Sequence, residues 1–125
     1  MTEQPAWLVG ILKKRSLKAL QILLQLIEAG LRNGQCSPND IHIPLTKEEH
    51  NVVGATFKIL PRFGFQQSNQ RIKPRKAKSN GRKVYLWLLI DPAKARQYIA
   101  VLTKDVRASE ELEARITETQ TVMEV

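Results

Sequence analysis

Nine lysine and arginine residues fall between His50 and Ile90, in a stretch that contains no aspartate and no glutamate. They are Lys58, Arg62, Arg71, Lys73, Arg75, Lys76, Lys78, Arg82 and Lys83. Ammonium and guanidinium groups bind phosphate oxygens through charge-assisted hydrogen bonds, and the lack of nearby carboxylates leaves their positive potential uncompensated. The stretch includes a predicted helix and a predicted strand, so these charges are expected on a folded surface. The sequence therefore predicts a phosphate-rich partner, with nucleic acid as the leading example.

Charge is divided unevenly along the chain. Residues 1–108 hold 19 Lys or Arg and 7 Asp or Glu, a net charge of +12, whereas residues 109–125 hold one Arg and five Glu, a net charge of −4. The 125 residues, 42% of them hydrophobic, are sufficient for one compact domain. We expect an N-terminal extension at 1–15, a domain at 16–106 and an acidic, flexible tail at 107–125. By contacting the basic body, this tail would lower nonspecific affinity.

Helical spacing organises the N-terminal half of the chain. Residues 5–12 have the spacing of a short helix, and Ser16 is a suitable N-cap for a longer helix that should end near Gly30 or Gly34. The apolar positions of the longer helix are Leu17, Leu20, Leu24, Ile27 and Leu31. A brief helical turn is expected at 37–41, where a proline follows a serine. The longer helix is interpreted as core scaffold.

A second substantial helix is predicted from a capping-box pattern, in which Thr46 is followed three residues later by Glu49. The helix should run to about Arg62 and stop at Gly64, which is suited to a left-handed turn. Its apolar side comprises Val52, Val53, Thr56, Phe57, Ile59 and Leu60. Its opposite side, the candidate DNA-binding face, comprises His50, Asn51, Gly54, Ala55, Lys58 and Arg62. Periodicity therefore separates a packing face from a docking face.

Gly54 is an unfavourable residue for the interior of this helix. Glycine there costs about 1 kcal/mol relative to alanine, so its presence indicates that another surface approaches closely. Two surfaces satisfy this requirement on sequence grounds: a bound partner, or the first long helix packed tightly against this one.

A β-hairpin is predicted after this helix, with strands at 65–68 and 84–88 and an Asn80-Gly81 turn before the second strand. The basic residues on and around the hairpin are Arg71, Lys73, Arg75, Lys76, Lys78, Arg82 and Lys83. A closing helix should follow from Pro92 to about Val106. The predicted fold is thus α+β: a winged helix-turn-helix with a two-stranded basic wing and an added C-terminal helix.

Four segments, taken in order and spacing over about residues 16–90, resemble small winged-helix proteins of phages and other mobile elements. They are Ser37-Pro38-Asn39-Asp40-Ile41, Asn51-Val52-Val53-Gly54-Ala55, Arg62-Phe63-Gly64-Phe65 and Gly81-Arg82-Lys83-Val84-Tyr85-Leu86-Trp87. The resemblance implies binding to double-stranded DNA. It also implies a role in replication, recombination or transcriptional control of a mobile element.

Two kinds of DNA contact are expected from the residue types. Asn51 can bridge the edge of adenine, while Lys58 and Arg62 can reach guanine, so the helix face could distinguish sequences. The wing cations are better suited to phosphate or to a narrow minor groove, which contributes mainly affinity. If about five phosphates are neutralised, the slope of log affinity against log salt should be about −4.5.

Two other classes of binding protein fit the same sequence. Tyr85 and Trp87 lie on a basic strand and could stack unpaired bases of RNA or single-stranded DNA, although we expect Trp87 to pack in the core. Alternatively, a winged helix could serve as a protein-interaction adaptor. In that case the N-terminal segment or the closing helix would dock a second copy of the chain or another, acidic protein.

Catalytic and membrane classes are disfavoured. His42, His50 and the single cysteine Cys36 have no catalytic or zinc-binding spacing, and the chain has no phosphate-binding glycine loop. We therefore predict no enzymatic activity, no metal and no cofactor. Polar residues interrupt the leucine-rich stretch at helical spacing, which argues against a membrane span. A cytoplasmic or nucleoid-associated location is expected.

Overall fold

A computed structural model of the chain describes residues 5–72 and 84–123. Within these ranges the fold is α+β, with four α-helices and one small antiparallel sheet. The helices are α1 (Ala6–Lys14), α2 (Leu17–Asn33), α3 (His50–Ile59) and α4 (Pro92–Met123), and the strands are β1 (Gln35–Cys36), β2 (Phe65–Ile72) and β3 (Val84–Leu89). The predicted fold class is confirmed at this level.

The helix α2 forms the centre of the core. Ser16 caps its start by accepting a hydrogen bond from the Ala19 backbone N–H at 3.2 Å, as expected for this residue type. At the other end, Gly34 adopts φ 77°, and its N–H donates to the Gly30 carbonyl. Most apolar side chains of α2 are buried. The predicted long amphipathic helix is confirmed.

The segment between α2 and α3 is held by two capping arrangements. Ser37 and Asp40 close a short 3₁₀ turn, in which the Ser37 N–H donates to Asp40 Oδ2 at 2.8 Å. Thr46 and Glu49 form the predicted reciprocal pair: the Thr46 N–H donates to Glu49 Oε1 at 2.9 Å, and the Glu49 N–H donates to Thr46 Oγ1 at 3.3 Å. The regular turns of α3 then begin at His50.

The end of α3 changes geometry before the predicted stop. The α-helix ends at Ile59 and continues as a 3₁₀ turn over Leu60–Phe63. Pro61 explains the change, because it lacks the N–H that an α-helix needs and clashes with the preceding turn. Gly64 then adopts φ 93°, and a Cβ there would lie 2.6 Å from the Asp91 carbonyl oxygen. Both the backbone angle and the space therefore require glycine.

The sheet contains a strand that the sequence analysis did not predict. Its order is β1-β3-β2, and all neighbours are antiparallel. β1 has only two residues, too few to show an alternating pattern, and it pairs with Trp87 and Leu88. β2 extends four residues beyond the expected end to Ile72, with an irregular register between Gln67 and Arg71. The predicted Asn80-Gly81 turn lies outside the described residues.

The closing helix is longer than expected. Asp91 caps it by accepting from the Lys94 N–H at 3.2 Å, but α4 continues past the predicted end at Val106 to Met123. No glycine or proline interrupts residues 93–123, and Glu111 precedes Arg115 by four residues, a stabilising order on a helix. The prediction of a stop near Val106 is therefore wrong.

The core joins all the helices. Leu8 of α1 is fully buried in the same apolar cluster as Leu26 of α2 and Leu102 of α4. Aromatic contacts also hold α1 against the core. The ring of Trp7 makes edge contacts with Phe63 at a centroid distance of 5.4 Å and with Tyr98 at 5.1 Å. The N-terminal segment is thus packed against the body rather than extending from it.

Candidate nucleic-acid interface

The predicted docking face of α3 lies on the surface. His50, Asn51, Gly54 and Lys58 are all exposed, and so is Arg62 in the 3₁₀ turn that follows. Ala55 is half-buried at the edge of this face. The structure therefore brings together the five exposed residues along one side of the helix, and it places Ala55 at the boundary with α1.

The opposite side of α3 is fixed to the core. Thr56 is fully buried, and its hydroxyl donates to the Val52 carbonyl at 2.8 Å, so no polar atom is left unsatisfied there. Phe57 packs against Trp87 of β3, with ring centroids 5.6 Å apart. Leu60 is also fully buried. Because these contacts hold the helix, its outer side chains are presented by a rigid support. The contact between Phe57 and Trp87 agrees with the expectation that Trp87 packs in the core.

Gly54 faces open space. A Cβ at this position would have no neighbouring heavy atom within 4 Å. Tight packing against the first long helix, one of the two explanations for this glycine, therefore does not occur at Gly54. Close approach of a bound partner is the explanation that remains from the sequence analysis.

Arg62 is held against α1. Its guanidinium carbon lies 5.6 Å from the centroid of the Trp7 ring, at the distance of a cation–π contact. The same ring contacts Phe63, so Trp7 connects the end of α3 to the core. The guanidinium group of Arg62 therefore has a preferred orientation, although the side chain is exposed.

An open groove of about 620 Å³ separates α1 from α3. Small residues, including Gly10 and Ala55, line it together with three cations: Lys14, Arg15 and Arg62. Lys14 and Arg15 are not among the contacts predicted from the sequence. They belong to the basic run Lys13-Lys14-Arg15, but only the fold brings this run beside the end of α3.

Arg71 is the one predicted wing residue within the described ranges. Its Nη2 donates to the Tyr85 hydroxyl at 2.7 Å, and its guanidinium carbon lies 4.9 Å from the centroid of the Tyr85 ring. The pair joins β2 to β3 where the register becomes regular again. Arg71 is therefore anchored on the exposed surface of the sheet. The other predicted wing residues lie outside the described residues: Lys73, Arg75, Lys76, Lys78, Arg82 and Lys83.

Glu49 and Cys36 have shifted pKa values. Glu49, one residue before α3, forms a salt bridge of 2.8 Å with Lys18, and the hydrogen bonds from Lys18 and Thr46 lower its pKa to about 2. Cys36 on β1 is buried, and its loss of hydration, together with the nearby Asp40 carboxylate, raises its pKa to about 12. Glu49 thus fixes the entry to α3, while Cys36 is an unionised core residue.

No group of three or more His, Cys, Asp or Glu side chains within residues 5–72 and 84–123 is arranged to hold a metal ion. Among the helices described, none combines the length and the apolar character that crossing a membrane requires.

Comparison with known proteins gives no relative. No family model matches the sequence, no curated protein is significantly similar to it, and no solved structure matches it significantly.

Proposed function

We propose that the protein binds double-stranded DNA as a small winged helix-turn-helix protein, with α3 as its recognition helix. The observation that carries the proposal is the outer face of α3, where Asn51, Lys58 and Arg62 are exposed around the open position Gly54. We further propose a role in replication, recombination or transcriptional control of a mobile element, following the sequence resemblance.

The topology supports this class. A long helix, a short strand, a brief helical turn, an exposed helix and two further strands follow one another, and the sheet order is β1-β3-β2. In a winged helix-turn-helix the second helix of the turn enters the major groove and the strands form the wing. Here α3 and the β2–β3 pair would take those positions, although the helix before α3 is reduced to the 3₁₀ turn Pro38–Asp40.

The dimensions and chemistry of α3 suit a major groove. An α-helix with its side chains is about 10–12 Å wide, and the major groove of B-DNA is about 12 Å wide. Asn51 would accept from and donate to adenine, whereas Lys58 and Arg62 would donate to guanine. Gly54 lies between Asn51 and Lys58 and would let the helix backbone approach the bases. Arg71, held by Tyr85, would contact a phosphate.

A competition experiment tests the proposal. The full chain is bound to labelled random-sequence duplex, and unlabelled duplex, single-stranded DNA and RNA of matched sequence compete. We expect duplex to compete best and log affinity to fall with log salt at a slope of about −4.5. Stronger competition by RNA or single-stranded DNA would favour the stacking alternative. An affinity that does not change with salt concentration would contradict the proposal.

Substitutions on α3 test the recognition surface. Once a preferred duplex has been selected, Asn51→Ala should weaken binding to it by about 10-fold, because a bidentate base contact contributes about 1–3 kcal/mol of discrimination. Binding to random duplex should change much less. Lys104→Ala, an exposed cation on α4, provides the control for surface substitution. If Asn51→Ala behaves like Lys104→Ala, α3 is not the recognition helix.

A further inference from the structure

We propose that the edge of α1 is a second phosphate-binding surface, in which Lys14 and Arg15 bind the sugar–phosphate backbone of the same duplex that α3 enters. This inference rests on the proposed function and extends its interface to the groove between α1 and α3. It names an occupant for that groove, one DNA strand, on the side of α3 that faces away from the sheet.

The two sides of α3 face different neighbours. Phe57 packs against Trp87 of β3, so it marks the side toward the sheet. Ile59 and Ala55 line the groove, so they mark the side toward α1. Phe57 and Ile59 are two residues apart, which separates them by about 200° around the helix axis. The exposed face of α3 therefore lies between the sheet on one side and the cationic edge of α1 on the other.

A helix in the major groove has a phosphate backbone on each side. Because the groove is about 12 Å wide and a helix with its side chains nearly fills it, groups flanking the helix are brought to the two strands. The sheet side offers Arg71, anchored by Tyr85. The α1 side offers Lys14 and Arg15. Exposed cations thus lie both on the sheet and at the α1 side of α3.

The composition of the groove fits a backbone strand. The charged residues that line it are all cations, and none of the lining residues within the described structure is acidic. The small residues Gly10 and Ala55 line the groove, so no long side chain projects into it from these two positions. A negatively charged polymer is therefore the occupant that the charge of the groove favours.

The edge of α1 is held in place by buried contacts. Leu8 is fully buried and Ile11 is 8% exposed, while Trp7 packs against Phe63 and Tyr98. The cation–π contact between Trp7 and Arg62 joins this edge directly to the end of α3. Because α1 cannot move freely, its cations keep their position relative to α3, and little ordering is needed on binding.

The test compares two double neutralisations of equal charge. Lys14→Gln with Arg15→Gln removes the proposed contacts, and Lys104→Gln with Arg107→Gln removes two exposed cations of α4 outside the groove. Affinity for random duplex is measured over a range of salt concentrations. We expect the first variant to bind about 10-fold or more weakly at low salt and its salt slope to become shallower by about 1.8, the value for two phosphates. The second should keep the wild-type slope.

Separate outcomes identify which proposal fails. If wild-type protein does not bind duplex DNA, the proposed function fails. If it binds but the two double variants have the same slope, the α1 surface is not a contact and this inference is overturned. Thermal unfolding of both variants checks the fold. Hydroxyl-radical footprinting gives an independent result: the α1 variant should lose protection of the backbone on one side of the site only, and an unchanged footprint would also overturn the inference.

Discussion

At Gly54, a substitution by alanine should affect folding stability and DNA binding in opposite directions. Because a Cβ would meet no atom within 4 Å, Gly54→Ala should raise the free energy of unfolding by about 0.5–1 kcal/mol through the lower entropy cost of ordering alanine in a helix. Chemical denaturation measures this change. If the proposed DNA contact is correct, the more stable variant should bind duplex more weakly, since the added methyl group enters the interface.

Gly30 provides the matched comparison. A Cβ at Gly30 would clash with the ring of Phe65, which is buried in the core. Gly30→Ala should therefore lower the free energy of unfolding by about 1–3 kcal/mol, as overpacking of a core usually does. Equal effects at the two glycines would contradict the packing described for α2 and α3.

Cys36 should be chemically inert in the folded protein. A thiol with a pKa of about 12 is almost entirely protonated at pH 8, and the thiolate is the reactive form. We expect an aromatic disulfide reagent to label the native protein slowly and the denatured protein within seconds. Rapid labelling of the native protein would show that β1 opens readily.

The stabilising effect of Glu49, at the start of α3, should be lost in acid. The pKa of Glu49 is lowered from 4.5 to about 2 in the folded protein, so its contribution to stability is complete above about pH 4.5 and is lost as the pH falls toward 2. Glu49→Gln should lower the melting temperature slightly at pH 7 and have a much smaller effect at pH 2. The effect is small because water screens this surface pair.

A neighbouring glutamate provides the control for this pH experiment. Glu48 is exposed and one residue away, and Glu48→Gln should have little effect at either pH. Glutamine at position 49 keeps an oxygen that can accept from the Thr46 N–H, so the comparison isolates the charge and its salt bridge with Lys18. An effect of Glu49→Gln that is as large at pH 2 as at pH 7 would show that charge is not its cause.

At the scale of elements, the features that the sequence predicts correctly are those that depend on neighbouring residues. The Ser16 cap, the Thr46–Glu49 pair and the stop at Gly64 depend on residues within a few positions, and all three are present. β1 was missed because two residues carry no periodicity and pair only with the distant β3. The predicted end of α4 is too early because acidic, polar composition favours fraying, whereas no glycine or proline within residues 93–123 breaks the helix.

At the scale of the whole molecule, α4 carries a net negative charge in the residues that follow its contact with α2 at Glu110. Gln21 of α2 donates to Glu110 at 3.0 Å, and the next residues are exposed, with Leu112 retaining 59% of its accessible surface. A chain ending at Glu110 keeps this contact and loses four Glu and one Arg. It should bind duplex DNA several-fold more tightly at low salt, with the difference disappearing at high salt because ions screen it.

Neutralising charge without shortening the helix controls for truncation. Glu111→Gln with Glu113→Gln should give a smaller change in the same direction. If neither variant alters the affinity, the acidic end of α4 does not reduce DNA binding, and the sequence-based expectation of such an effect is wrong.

The candidate site was predictable only in part. Periodicity identified the outer face of α3, because exposure on a helix follows from its own sequence. It could not identify Lys14 and Arg15, since their proximity to Arg62 depends on how α1 packs against Phe63 and Tyr98. Contacts between segments some 50 residues apart require the tertiary structure.

The two tryptophans of the chain bracket α3. Trp7 contacts its C-terminal end through Arg62, and Trp87 contacts its inner side through Phe57. Their fluorescence gives the protein two built-in optical reporters, which single Trp→Phe replacements can separate. A ligand seated at the α1 edge would change the emission of Trp7, whereas a shift of α3 against the sheet would change that of Trp87.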